Sequence, residues 1–343
     1  MRALTTRLLT TLVAGAAALS MAACSGGSES ASGQSDSAQS AATTAPSDAG
    51  EGAWPRTVTD EHGELTLEAK PERIVSTSPS ITGTLLAMGA PVVSTAAAVA
   101  GPLTDDKGFF SQWADVADEK GVEVLYSDFQ FDMEAIIAAD PDLVIVSTSG
   151  ADSVADHYDQ IAAEYPTLLV DYSKQTWQEL ATELGAATGL EDDAAAAAAD
   201  FDDYAADAAA KITAPEGGVS IVSYNGAGND SAVGKLTGPH AQLMESLGLD
   251  VVEGPDDLDT SDQARSDFIF VTLENLSAAI GGESVFLLTG TEDTVAAFES
   301  DPVLANLPAV QKGQVHPLGP ASFRIDYYSG KQFIDAVVDA LGA

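Results

Sequence analysis

The chain has 343 residues, with 53 acidic against 14 basic side chains and a formal net charge of −39. That balance excludes a general nucleic-acid coat, which needs a basic face, and argues against electrostatic attraction to anionic lipid. Hydrophobic residues make up 45%, an ordinary share for a globular protein, so the chain can bury a large core in one or two domains.

Cys24 is the one cysteine, which rules out an intramolecular disulfide and a Cys-based zinc cluster. Residues 1–23 hold Arg2 and Arg7, an apolar run from Leu8 to Leu19, and then Met21-Ala22-Ala23. This is the charged, apolar and small-residue order of a secretory signal. The run is short for a membrane span, and no later segment is long and charge-free enough. A cysteine after two small residues resembles a bacterial lipobox, in which Cys24 would be lipidated and become the first residue. The competing reading is an ordinary signal peptide with a chance cysteine. Residues 24–53 are rich in Ser, Gly, Ala, Gln and Asp, a flexible tether that cannot offset its ordering entropy. Ordered protein is expected from Trp54.

Residues 73–77 (RIVST) read as a strand. Ser78-Pro79 gives an N-cap and a first-turn proline for a helix over Ile81–Met88, which Gly89 closes. Strands are predicted at 122–125, 143–147 and 168–171, and helices at 131–139, 153–164 and 175–188. Residues 191–211 hold many alanines with Asp, Phe201 and Tyr204 and no Gly or Pro, predicting one helix of about 20 residues, roughly 30 Å long. Further strands are expected at 219–224, 250–253, 268–271, 285–289 and 315–318, with helices at 239–247, 291–299 and 327–341. The fold class is α/β. Two lobes, 54–188 and 214–343, each hold a mostly parallel sheet flanked by helices, and a single long interlobe helix at 189–213 joins them.

The strings RIVSTSPSITGTLLAMGAPV (73–92), GFFSQWADVA (108–117), ADPDLVIVSTSGADS (139–153), ENLSAAIGGESVFL (274–287), LANLPAVQKGQV (304–315) and ASFRIDYYSG (321–330) carry a resemblance. With the lipobox, tether and two lobes, they are similar to the substrate-binding lipoproteins of iron-siderophore and cobalamin ABC importers. The enterobactin, or catecholate-siderophore, type of that family matches best. The resemblance implies a non-enzymatic binder, lipid-anchored outside the cytoplasm and monomeric. It would capture a ferric siderophore and pass it to an ABC permease. It implies no cofactor, no catalytic residue and no protein-bound metal, since the iron arrives as the siderophore complex. Many relatives carry a Glu in the first helix that docks onto the permease; Gly83 stands there in this chain, and the enterobactin type also lacks the Glu. Residues 225–238 depart most from that type.

Three catecholates fill the octahedral positions of Fe(III) and leave a complex of charge about −3. A binder must then supply cations, hydrogen-bond donors and flat aromatic surfaces, and Arg suits this best. Open α/β sheets bind ligands in loops after strands. Those loops hold Lys107, Lys235, Arg265 and Arg324. Arg324, beside Phe323, Tyr327 and Tyr328, is the leading candidate, with Asp326 as its competing ion-pair partner. Aromatic candidates are Phe109, Phe110, Trp113, Tyr126 and Tyr224. Trp113 also reads as core. Ser78, with Ser80, flanks a helix start whose free N–H groups can meet an anion, though it also reads as a plain N-cap.

Other readings stay open. The ligand could be another siderophore class, haem or cobalamin, or the chain could be an extracytoplasmic α/β enzyme. His62, His157, His240 and His316 are widely separated and do not suggest a zinc or manganese site. Gly226-x-Gly228-x-x-Ser231 follows a strand, but the third glycine is missing and no helix starts until about 238, so a dinucleotide site lacks its helix N-terminus. No P-loop or G-x-S-x-G elbow occurs.

Overall fold

A computed structural model describes residues 53–226, 228–261 and 265–342. The signal segment, Cys24 and the tether up to residue 52 lie outside the described residues. The described chain opens with a hairpin, β1 (Arg56–Thr59) and β2 (Glu64–Leu67). Asp60 closes its turn by accepting the N–H groups of His62 and Gly63 at 2.8 and 2.9 Å. Next come β3 (Ile74–Ser76) and α1 (Pro79–Ala87), with Ser78 at the N-cap and Pro79 in the first turn. Gly89, at φ 71°, ends that helix in the left-handed conformation glycine tolerates.

The first lobe continues through β4 (Val92–Thr95), α2 (Ala114–Glu119), β5 (Glu123–Val124), α3 (Met133–Ala139) and β6 (Leu143–Ser147). It ends with α4 (Tyr158–Ala162), β7 (Thr167–Val170) and α5 (Trp177–Thr188). The helix expected over 153–164 is shorter, because a 3₁₀ turn at Ala155–His157 precedes α4. Its five-stranded sheet has the order β5-β4-β3-β6-β7, every pair parallel. All of β6 (LVIVS) is buried, as expected for a central strand covered on both faces.

The predicted long helix is α6 (Glu191–Ala209). Glu191, Asp192 and Asp193 lie in its first turn, where the helix dipole favours negative charge. Its buried residues Ala194, Ala197, Phe201, Ala205 and Ala208 recur at three- and four-residue spacing and form one apolar stripe.

The second lobe holds β8 (Val219–Ser223), β9 (Ser231–Gly234), α7 (Pro239–Ser246), β10 (Phe268–Val271) and α8 (Leu273–Ala279). Then come β11 (Ser284–Leu287), α9 (Glu292–Ser300), α10 (Pro308–Lys312), β12 (Val315–Pro317) and α11 (Tyr327–Leu341). The sheet order is β10-β9-β8-β11-β12. β8, β11 and β12 are parallel, while β9 runs antiparallel to both its neighbours. Residues 225–238, where no strand is predicted from sequence, contain β9. The link from β8 is too short for a parallel crossover, so the chain folds straight back. The strand expected at 250–253 is instead a single parallel bridge from Val251 to Val219. β8 is already paired on both sides by β9 and β11.

One hydrophobic cluster runs from Ile74 and Leu143 in the first lobe through Phe201 of α6 to Phe286 and Phe333 in the second. α6 packs on both α5 and α11. Phe201 meets Trp177 edge-on, with ring centroids 5.1 Å apart. On its other side it lies against Gly330, where an added Cβ would come within 2.6 Å of Phe201 Cε2. Gly330→Ala should therefore overpack this seam and destabilise the fold by about 1–3 kcal/mol. A thermal melt checks this; an unchanged Tm would mean the seam has slack.

Candidate functional site

Loops that follow β6, β7 and β12 line one cavity of about 1300 Å³, together with residues of α1, α5, α6 and α7. It therefore lies between the two lobes. Its walls are aromatic: Phe110, Tyr172, Trp177, Phe201, Phe268 and Phe323. Phe268 and Phe323 stack with planes 6° apart, and Phe323 remains 45% exposed, a flat face open to a ligand. Three cations line the same space: Lys174, Arg265 and Arg324.

Arg324 reaches from the second lobe to the first. Its Nη1 donates to Tyr172 Oη at 3.2 Å. Its guanidinium lies 5.6 Å from the Phe110 ring centre and 5.9 Å from that of Tyr172, within cation–π range. Its carboxylate neighbour is Asp152, at 3.9 Å. Asp326, the partner expected from sequence, is committed elsewhere. It is the N-cap of α11 and accepts the N–H groups of Tyr328 and Ser329 at 2.9 and 2.8 Å. Gln112 of the first lobe also donates to it at 3.3 Å. Burial pushes the Asp326 carboxyl up, against the downward pull of these hydrogen bonds.

Arg265 is held bidentately by Asp267, Nε to Oδ1 at 2.8 Å and Nη2 to Oδ2 at 2.6 Å. Lys174 bridges Asp171 at 2.8 Å and Glu61 at 3.6 Å. Burial raises the Asp171 carboxyl, but bonds from Lys174 and Ser173 outweigh it and hold the group at about 2.

Of the sequence candidates, Arg324, Arg265, Ser80 and Phe110 line the cavity. Lys235 stands behind Arg265, donating to its carbonyl at 3.2 Å and pairing with Asp256 at 2.8 Å. Lys107 pairs with Asp118 and Asp105 on the surface. Trp113 is 1% exposed and packs against Phe109 and Phe110. Tyr126 is buried in the first-lobe core, its hydroxyl turned to the Thr77 carbonyl at 3.5 Å. Tyr224 donates to Asp301 at 3.0 Å and packs on Phe298. Ser78 is buried and donates to Asp152 Oδ2 at 2.5 Å, and Ser80 N donates to the same oxygen at 3.1 Å. The start of α1 thus already holds an anion, supplied by the chain itself. Gly83 faces inward too: a Cβ there would lie 2.6 Å from Asp326 Oδ2 and 2.9 Å from Trp113 Cδ1. That position is part of the lobe junction, not an outer surface.

Tyr172, Lys174, Trp177 and His240 line the cavity without having been singled out as ligand contacts. Tyr172 and Lys174 follow directly on β7, so the rule that selects Arg324 also reaches them. His240 carries no such signal. It is 4% exposed, and its Nε2 donates to the carbonyls of Ser322 and Phe323 at 3.1 and 2.9 Å. It pins the loop that carries Arg324.

A family model described as "Periplasmic binding protein" matches residues 74–321. The ferric enterobactin-binding periplasmic protein FepB of Escherichia coli O6:H1 is 40% identical over 285 residues, 82% of this chain and 89% of that protein. The crystal structure of holo-ViuP superposes with a TM-score of 0.77 at 38% identity, covering 85% of this chain and 96% of that one. A FhuD fold-family binding protein, a component of a Fep/Fec-like ferrichrome ABC transporter from Bacillus subtilis, gives 0.63 at 26% identity. It covers 83% of this chain and 99% of that one.

Burial pulls the His240 imidazole below its ordinary value, despite the two carbonyls. Folding therefore favours the neutral ring. Its contribution is present above the unfolded value near 6.5 and is lost as pH falls below it toward the folded value. The stability advantage of the parent over His240→Gln should shrink between pH 7.5 and pH 5. Parallel melts across that range test this; a gap constant with pH would show that folding does not shift the titration of His240.

Proposed function

The chain belongs to the periplasmic binding protein family, and from that premise we propose that it captures a ferric catecholate siderophore outside the cytoplasm and delivers it to an ABC permease. It acts as a binding protein and not as an enzyme. The observation that carries this reading is the cleft itself, where three cations and six aromatic side chains converge on one cavity. About 1300 Å³ exceeds the roughly 300–1,000 Å³ of ordinary small-molecule pockets and suits a bulky metal complex. Lys174, Arg265 and Arg324 meet the complex's negative oxygens, while Phe110 and Phe323 offer faces to its rings. The siderophore supplies the iron's ligands, so the protein needs no metal site or cofactor of its own.

The same reading includes the anchor. Cys24 carries lipid, residues 25–53 tether the binding lobes, and a single chain is the working unit. Cys24→Ala should release the protein from the membrane fraction of cells. A variant as membrane-bound as its parent would remove the anchor from this account.

Arg324→Ala tests the ligand. A charge-assisted hydrogen bond in a partly desolvated cleft contributes about 1.5–3 kcal/mol, so ferric tris-catecholate affinity should fall roughly ten- to a hundredfold. Arg324→Lys should recover only part, because the planar fork is lost. Trp177 in the cleft wall makes tryptophan fluorescence the natural readout, run against a panel including a ferric hydroxamate, haem and cobalamin. Tightest binding of a panel member without catecholates, or full affinity in a well-folded Arg324→Ala, would overturn the assignment.

A further inference from the structure

We propose that Asp152 and Tyr172 are positioning residues that aim Arg324 into the cleft. This inference rests on the ligand reading above for its effect on affinity, but not for the geometry it describes.

Arg324 belongs to the loop between β12 and α11, in the second lobe. Asp152 and Tyr172 follow β6 and β7, in the first. Asp152 is 2% exposed, so its carboxylate cannot meet a ligand directly. Its Oδ2 is taken by Ser78 Oγ and Ser80 N. That leaves Oδ1, which accepts the Tyr172 hydroxyl at 3.1 Å. With its proton committed to Asp152, the Tyr172 oxygen presents lone pairs on its other side. One of them accepts Arg324 Nη1 at 3.2 Å. Each bond in this chain fixes the direction of the next. Among the described residues no other acceptor takes a hydrogen bond from Arg324, so its remaining N–H donors are available to a ligand.

Polarity sets the chain's direction. Arg cannot accept a hydrogen bond and an ionised carboxylate cannot donate one. Tyr172 therefore has one satisfactory orientation, donating to Asp152 and accepting from Arg324. Burial also pushes its phenol up from the ordinary value, which keeps the proton in place. The carboxylate is supported as well. It sits at the first turn of α1, where the helix dipole and a free N–H stabilise an anion. Asp152 at 3.9 Å is too far for a tight ion pair with Arg324 and acts on it through the hydroxyl.

A double-mutant cycle and a ligand-free measurement test this together. Tyr172→Phe keeps the ring and removes the hydroxyl, so it should weaken ferric tris-catecholate binding by about three- to tenfold. In an Arg324→Ala background the same change should cost less than about twofold, because there is nothing left to aim. Asp152→Asn should behave in the same non-additive way. Equal losses from Tyr172→Phe in both backgrounds would mean that the hydroxyl contacts the ligand itself, and a gain in affinity for Asp152→Asn would mean that Asp152 competes with the ligand; either result overturns the proposal. In the ligand-free protein, NMR of the Arg324 guanidinium should show slow rotation about Nε–Cζ in the parent and faster rotation in Tyr172→Phe. Equal rates would refute the positioning role even if the siderophore reading stands. A clear difference in a protein that binds no catecholate complex would support the positioning role and refute the siderophore reading.

Discussion

Phe201 wedged between Trp177 and Gly330 is the contact on which the cleft depends. It sits midway along α6 and packs that helix onto both α5 and α11. Because α6 serves both lobes, the spacing between them is set by side-chain packing and not by loose strands. The absent side chain at Gly330 lets Phe201 approach, and Phe201 itself forms part of the cavity's wall. A second seam runs beside it, where Gly83 of α1 lies against Asp326 at the start of α11. Gly83 therefore lets helices from opposite lobes come close, and Gly330 lets α11 approach the connecting helix. Interiors packed this densely resist gradual deformation, so the cavity exists before any ligand arrives.

The electrostatics of that cavity are those of an acidic protein with few cations to spare. Each cation lining the cleft has a carboxylate of the chain nearby: Asp171 for Lys174, Asp267 for Arg265 and Asp152 for Arg324. Exposed pairs of this kind contribute roughly 0–1 kcal/mol. An anionic ligand can take over such a cation at small cost, because the released carboxylate returns to water. Asp171, 8% exposed, and Asp152, 2% exposed, are the exceptions, since neither is freely released to solvent; Asp152 lies deepest. It is held by Ser78, Ser80 and Tyr172, and its charge reaches the cleft only through them. Internal pairing thus keeps the cations ordered without tying them up.

Much of this was legible in the sequence, and the failures have physical reasons. Alanine density over 191–211 announced α6, and apolar runs announced most strands, because those signals are local. Arg324 was legible because it follows the last strand, where parallel sheets open on a ligand. Tyr126 and Tyr224 also end strands, yet both turn away from the cavity. A strand end fixes where a residue is, but not which face its side chain takes. β9 was missed since its short run with Gly234 gives little strand signal; the folding-back that pairs Val222 with Val233 is a long-range event. The anion at the start of α1 comes from Asp152, more than seventy residues downstream, and no periodicity links the two. His240 was set aside as an isolated histidine, and only the folded chain shows it under the Arg324 loop.

The central claim is that a helical spine holds the two lobes at fixed separation, so that ligands enter a preformed cleft. Small-angle scattering of free and ferric tris-catecholate-loaded protein tests it most directly. The account predicts the same radius of gyration in both states, within experimental error. A clear decrease on loading would mean that the lobes close by hinge motion, and that α6 does not act as a spine.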